Sequence, residues 1–96
     1  MITRVVASKL ATKQLRKAPP QVRDAFAYWV GLIGEHGLLE VRKIRGFHDE
    51  PITVGPHAGQ RSVRMNRAWR AFYVMRRDGS AELIEVVEVN KHVYNR

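Results

Sequence analysis

Arg61, Arg64, Arg67, Arg70, Arg76 and Arg77 crowd into the stretch that follows a glycine- and proline-rich segment, and the chain then runs Val89-Asn90-Lys91-His92-Val93-Tyr94. Guanidinium groups grip phosphate through planar, paired donors. A Lys, a His and a Tyr set beside them can carry or move protons. That combination points to work on RNA. Cleaving an RNA strand without a metal needs a base for the 2′-hydroxyl, cations for the dianionic phosphorane, and an acid for the leaving 5′-oxygen. The chain offers each type: strand arginines, Lys91 to ease the cost of a nearby anion, and His92, whose ordinary pKa near neutrality suits acid or base work.

The charge is distributed as this chemistry requires. The chain carries 17 Lys+Arg against 9 Asp+Glu, a net +8, in alternating blocks: +6 over residues 1–23, −2 over 24–50, +6 over 51–77 and −2 over 78–96. Localised positive charge attracts a polyanion by steering and by counterion release, whereas charge serving only solubility is usually interspersed in sign. Lys9, Lys13 and Lys17 fall on one helical stripe, a second phosphate-binding surface that gives affinity without sequence choice.

With 96 residues and 45% hydrophobic content, the chain is expected to form one domain, 1–96, with one modest core. It has no cysteine, so no disulfide framework or thiolate metal site is available. No His-x₃-His or comparable spacing suggests a metal, and no cofactor is expected. The short apolar run after Arg4 is neither a signal core nor a membrane span, so the expected location is the cytoplasm, away from membranes.

The elements that must position these groups follow from periodicity. Residues 3–7 read as a short strand. Ser8 is a natural N-cap for a helix over 9–17, with Leu10 and Leu15 inward. Pro19-Pro20 stops it. From Gln21 the stripe Val22, Phe26, Trp29, Val30, Ile33 marks an amphipathic helix ending at His36-Gly37. Residues 38–44 fit either a helical turn or a strand, and 46–59 read as a loop of functional length. Three strands follow, over 60–65, 69–77 and 81–89. They are joined by Asn66-Arg67-Ala68 and by Asp78-Gly79-Ser80, the second carrying the Asp-Gly hairpin signal.

Alternation places Val63 and Met65 opposite Ser62 and Arg64, and Trp69, Ala71, Tyr73 and Met75 opposite Arg70, Phe72, Val74 and Arg76. In the last strand Leu83, Val87 and Val89 should oppose Ile84, Val86 and Glu88. The helices must cover one face of this sheet. The other face is then free to hold Arg64, Arg70 and the tail from Lys91 to Tyr94.

The segments Phe47-His48-Asp49-Glu50-Pro51-Ile52, Gly59-Gln60-Arg61-Ser62-Val63-Arg64-Met65, Trp69-Arg70-Ala71-Phe72-Tyr73 and Glu88-Val89-Asn90-Lys91-His92-Val93-Tyr94 resemble the HigB-like toxins of the bacterial RelE/ParE superfamily. The order of strand, two helices and antiparallel sheet extends the resemblance over essentially the whole chain. It implies an α+β, microbial-RNase-type fold and the toxin of a type II toxin–antitoxin pair that cuts mRNA on the ribosome without metal. The implied partners are a cognate antitoxin, of the kind that carries a helix-turn-helix DNA-binding domain, together with mRNA and the ribosome. By the same resemblance Arg70 contacts the scissile phosphate with Arg64 as a second clamp, Tyr94 stacks on or protonates the substrate, and Glu50 of the Glu-Pro pair is the general base. Arg61 and Arg67 join the phosphate-binding set. The insertion Thr53-Val54-Gly55-Pro56-His57-Ala58 separates Glu50 from the first sheet strand, and His48 and His57 in the same loop are alternative bases.

The same residues have structural readings. Arg64 and Arg70 could pair with Glu82, Glu85 or Glu88 across strands. His92 could cap or meet a partner, Tyr94 could pack a sheet edge, Glu50 could be solvated, and Trp29 and Trp69 read as core. Two functions compete with the nuclease: a ParE-like DNA gyrase inhibitor, which has no need for Lys91, His92 and Tyr94 together, and a nuclease-dead RNA-binding member.

Overall fold

The computed structural model describes residues 1–79 and 81–91. Strand β1 (Val5–Ala7) leads into helices α1 (Lys9–Lys17), α2 (Pro20–His36) and the single turn α3 (Leu38–Val41). A 3-10 turn over Arg45–Phe47 then precedes β2 (Glu50–Pro51), β3 (Arg61–Arg64), β4 (Trp69–Asp78) and β5 (Ala81–Lys91). The strands form one mixed sheet in the order β1-β5-β4-β3-β2, antiparallel except where β1 runs parallel to β5. The α+β expectation and the order of elements hold. Of the two readings of 38–44 the structure takes the helical turn, over Leu38–Val41, and one detail differs: the expected loop after Gly46 contributes the edge strand β2.

Local chemistry accounts for the helix limits. Ser8 Oγ accepts the Ala11 N–H at 3.0 Å, capping α1, and α2 begins on Pro20, whose missing N–H costs nothing in a first turn. Gly37 ends α2 at φ 83°, a conformation that side-chain-bearing residues resist. Of the expected α2 stripe, Val22, Trp29 and Ile33 are buried and Phe26 and Val30 pack against the core. In α1 the inward residue is Ala11, while Leu10 is half exposed, which corrects the inward reading of Leu10. An alanine lets the helix lie close to the sheet.

The core joins Ala11, Val22, Trp29, Ile33, Leu38 and Val41 of the helices to Val63, Ala71, Tyr73, Ile84, Val86 and Val89 of the sheet. Alternation predicts this correctly for β3 and β4 but not for all of β5. A bulge opposite Phe72 and Tyr73 pairs Phe72 with Glu88 and Tyr73 with Val86, leaving Val87 as the extra residue. The phase therefore switches. Val86 and Val89 share the core face, and Glu88 and Asn90 join Arg70 and Phe72 on the open one. Helix α1 is bonded to the strand at this point: Ser8 Oγ donates to the Val87 carbonyl (2.9 Å), and Gln14 Oε1 accepts the Val89 N–H (2.7 Å). The bulge thus turns the end of β5 so that a carboxylate and an amide face the arginine strand.

Candidate active site

Register brings the polar residues of the open face together. Arg70 lies between Arg64 on β3 and Asn90 on β5, while Ser62 faces Phe72 on one side and Glu50 on the other. Arg70 Nη1 donates to Ser62 Oγ at 3.2 Å. A cleft of about 520 Å³ opens over these strands, lined by Glu50, His57, Ser62, Arg70, Asn90 and Lys91 among others. Glu82 and Glu85, the carboxylates that might have neutralised the arginines, are taken by Arg77 (3.2 Å) and Arg76 (2.8 Å). The third, Glu88, faces His57 at 3.7 Å, and among the described residues Arg70 makes no ion pair.

The loop between β2 and β3 forms the cleft's second wall, and its own hydrogen bonds fix its path. The Ile52 N–H donates to the Gln60 carbonyl and the Gly59 N–H to the Ile52 carbonyl, both at 2.9 Å, with Gly59 at φ 90°. This closure lays the His57 ring on Phe72. Gln60 Oε1 sits 2.9 Å from His57 Nδ1 and Glu88 Oε1 3.7 Å from Nε2, so an amide and a carboxylate face the two ring nitrogens. Asn90 Nδ2 holds the other Glu88 oxygen at 2.8 Å. The insertion that separates Glu50 from the sheet in sequence therefore does not remove Glu50 from the site, because β2 carries it to the sheet edge before the loop leaves.

Four expected site residues lie elsewhere or differ in role. Arg61 is on the helix-covered face, as its odd position in β3 dictates, and its Nε donates to Asp49 Oδ1 at 2.6 Å. Arg61, expected among the phosphate-binding residues, is thus engaged by Asp49 and does not line the cleft. Burial alone would pull the Arg61 guanidinium down, but the hydrogen bond and charge of Asp49 outweigh it and hold it above its ordinary value. Arg64 faces Arg70 across the strand pair, yet it lines a different hollow of about 370 Å³ with Tyr28, Leu32, Ile44 and Phe47. Its Nε is buried with no hydrogen-bond partner among the described residues. Arg67 is exposed in the turn before β4, and His48 is exposed at φ 47°, neither lining the cleft.

Lys9, Lys13 and Lys17 form the exposed stripe expected of α1, on the helix layer and apart from the cleft. His92 and Tyr94, assigned to proton transfer from sequence, lie outside the described residues. Sequence reasoning missed Ser62, Phe72, Glu88 and Asn90. The first two were visible as positions sharing a face with Arg70, and Glu88 as one of its possible carboxylate partners, whereas the bulge hid the change of phase between Val86 and Glu88. Among the described residues no cluster of three or more His, Asp or Glu is arranged to hold a metal ion, and no helix is long and apolar enough to cross a membrane.

Neither protein-family models nor curated protein sequences give a match to this chain. Solved structures do. A YoeB/ParE toxin from Agrobacterium tumefaciens superposes with a TM-score of 0.64 at 14% identity, over 94% of this chain and 99% of that one. YafQ from E. coli strain BL21(DE3) superposes with a TM-score of 0.66 at 16% identity, over 91% and 90% of the two chains. A chain of the E. coli DinJ-YafQ toxin-antitoxin complex gives 0.64 at 18%, over 95% and 94%. The fold is that of the YoeB/ParE toxin and YafQ structures, over nearly the whole chain.

Proposed function

We propose that this protein is the toxin of a type II toxin–antitoxin pair and a metal-independent endoribonuclease that cuts mRNA on the ribosome. The observation that carries the reading is the cleft itself, where Glu50, Arg70, His57 and Lys91 line one space on the sheet's open face. The toxin fold makes that cleft the natural place for chemistry, and the DinJ-YafQ complex supports an antitoxin as partner.

The reaction follows from the groups present. Glu50 takes the proton of the 2′-hydroxyl, and the 2′-oxygen attacks the adjacent phosphorus. Negative charge grows on the non-bridging oxygens, where the planar fork of Arg70 and the ammonium of Lys91 stabilise it. The bond to the 5′-oxygen breaks as an imidazolium donates its proton there, leaving a 2′,3′-cyclic phosphate and a 5′-hydroxyl. His92 is the acid that the tail motif suggests, with Tyr94 as stacking or proton-donating neighbour. His57, already beside Glu88, is the second candidate. The lysine stripe of α1 and Arg67 serve docking on ribosomal RNA.

A second reading, inhibition of DNA gyrase, is favoured by one observation, the YoeB/ParE name of the Agrobacterium neighbour. It leaves the cleft's chemistry unused. Mapping the 5′ ends of cellular mRNA after brief induction separates the two. New ends within coding sequence support the nuclease, and unchanged ends with loss of supercoiling by gyrase overturn it.

A further inference from the structure

Asp49 and Glu50 are neighbours in the chain but face opposite sides of the sheet edge. The Asp49 side chain, only 1% exposed, accepts from Arg61 Nε at 2.6 Å and from the Tyr73 hydroxyl at 2.5 Å. Arg61 Nη2 also reaches the Asp49 carbonyl at 3.5 Å. The next residue, Glu50, pairs with Ser62 and lines the cleft.

Strand β2 is only two residues long and lies at the sheet edge. A ladder this short is among the first parts of a sheet to open, so it cannot by itself hold a side chain in one place. The Asp49 partners are rigid by comparison. Arg61 sits in β3, and Tyr73 lies at the middle of β4, fully buried, with its ring 5.6 Å from that of Trp29. A buried ion pair is weak evidence for stability, because desolvation consumes much of the attraction. Its better-supported role is to fix one arrangement among several.

We infer that Asp49, Arg61 and Tyr73 are positioning residues that clamp the chain one residue before Glu50 and so hold the Glu50 carboxylate in the cleft. The inference rests on Glu50 being the base of the proposed reaction. Arg61 thus serves the site from behind the sheet, through the backbone, and does not touch phosphate.

Single-turnover cleavage of mRNA on programmed ribosomes tests this with Tyr73→Phe, Glu50→Gln and the double variant. Tyr73→Phe keeps the ring that packs on Trp29 and removes only the hydroxyl. It should slow cutting by about tenfold to a hundredfold, the range a misplaced catalytic group shows, with ribosome binding unchanged. In the Glu50→Gln background the same change should add no further loss, because the group it positions is already gone. Amide exchange at Ile52 and Gly59 in Tyr73→Phe, read against core amides such as that of Ile84, should quicken selectively.

Parental cutting by Tyr73→Phe while Glu50→Gln is slow would overturn the clamp alone. So would a loss in the double variant that multiplies the two single losses. Parental cutting by Glu50→Gln would instead overturn the base assignment, and the clamp with it.

Discussion

The His57 imidazole lies flat against the Phe72 ring, with centroids 4.0 Å apart and planes 8° from parallel. The stack, with Gln60 at one ring nitrogen and Glu88 facing the other, leaves the ring little freedom to swing out of the cleft. If His57 rather than His92 is the acid, His57→Gln should lower the cutting rate by about 10²–10⁴-fold with ribosome binding intact, and His92→Gln should do far less. Phe72→Leu, which removes the ring's support, should show a smaller loss in the same direction. Measuring the variants side by side on one message assigns the proton donor. Equal, undiminished cutting by both histidine variants would remove imidazole from the mechanism.

The proposed reaction puts Arg70 where charge grows in the transition state. Arg70→Ala should therefore lose cleavage by about 10²–10³-fold, the scale for removing one such donor. Arg70→Lys should recover little, since a point charge cannot replace a two-pronged donor, and Ser62 would be left facing an ammonium. End-group analysis of the parent's product should find a 2′,3′-cyclic or 3′-phosphate.

Much of this site was readable from the sequence, and the losses have physical causes. Arg70, Lys91 and Glu50 meet in the cleft because strand alternation and turn chemistry are local properties, written in Asp78-Gly79 and in the period of two along β4. The bulge at Val87 left no such mark, because Val86 and Val87 are equally apolar and either phase buries one of them. The alternation consequently put Val86 on the face of Glu88, whereas the bulge turns it into the core. Arg61 misled for another reason: a charged letter looks like surface, and only the three-dimensional pairing reveals that Asp49 is waiting behind the sheet. The turn at Asn66 was legible, with its Oδ1 accepting the N–H groups of Ala68 and Trp69 at 2.8 and 2.9 Å.

The α1 stripe is exposed and apart from the cleft, so its role can be changed without touching the chemistry. Lys13→Glu with Lys17→Glu should weaken association with ribosomes and flatten its dependence on salt, because fewer counterions are released. Thermal unfolding should change little, since both positions are exposed. An unchanged salt slope would take α1 out of the docking surface.

An antitoxin that silences the proposed nuclease should present acidic side chains to the cations that line the cleft, Arg70 and Lys91, or else hold the α1 face away from the ribosome. Arg61, already paired with Asp49, should make no such contact. Crystals of the complex decide this. A partner that touches neither face and leaves ribosome docking free would contradict it.

Tyr73 gives a test that needs no substrate. Burial, followed by the hydrogen bond and charge of Asp49, holds its hydroxyl well above the ordinary phenol value of 10.0. The folded state therefore keeps the proton after the unfolded chain has released it. Stability from this group is fully present below the unfolded value and is lost as pH rises from about 10 toward the folded one, at up to about 1.4 kcal/mol per pH unit for a single proton. Tyr73→Phe has no proton to release. Its melting temperature should lie below the parent's at neutral pH, where the hydrogen bond to Asp49 is missing, and the gap should narrow as pH is raised through that window. Parallel curves for the two proteins from neutral pH into the alkaline range would show that the Tyr73 hydroxyl titrates alike in both states, and that its bond to Asp49 does not hold in solution.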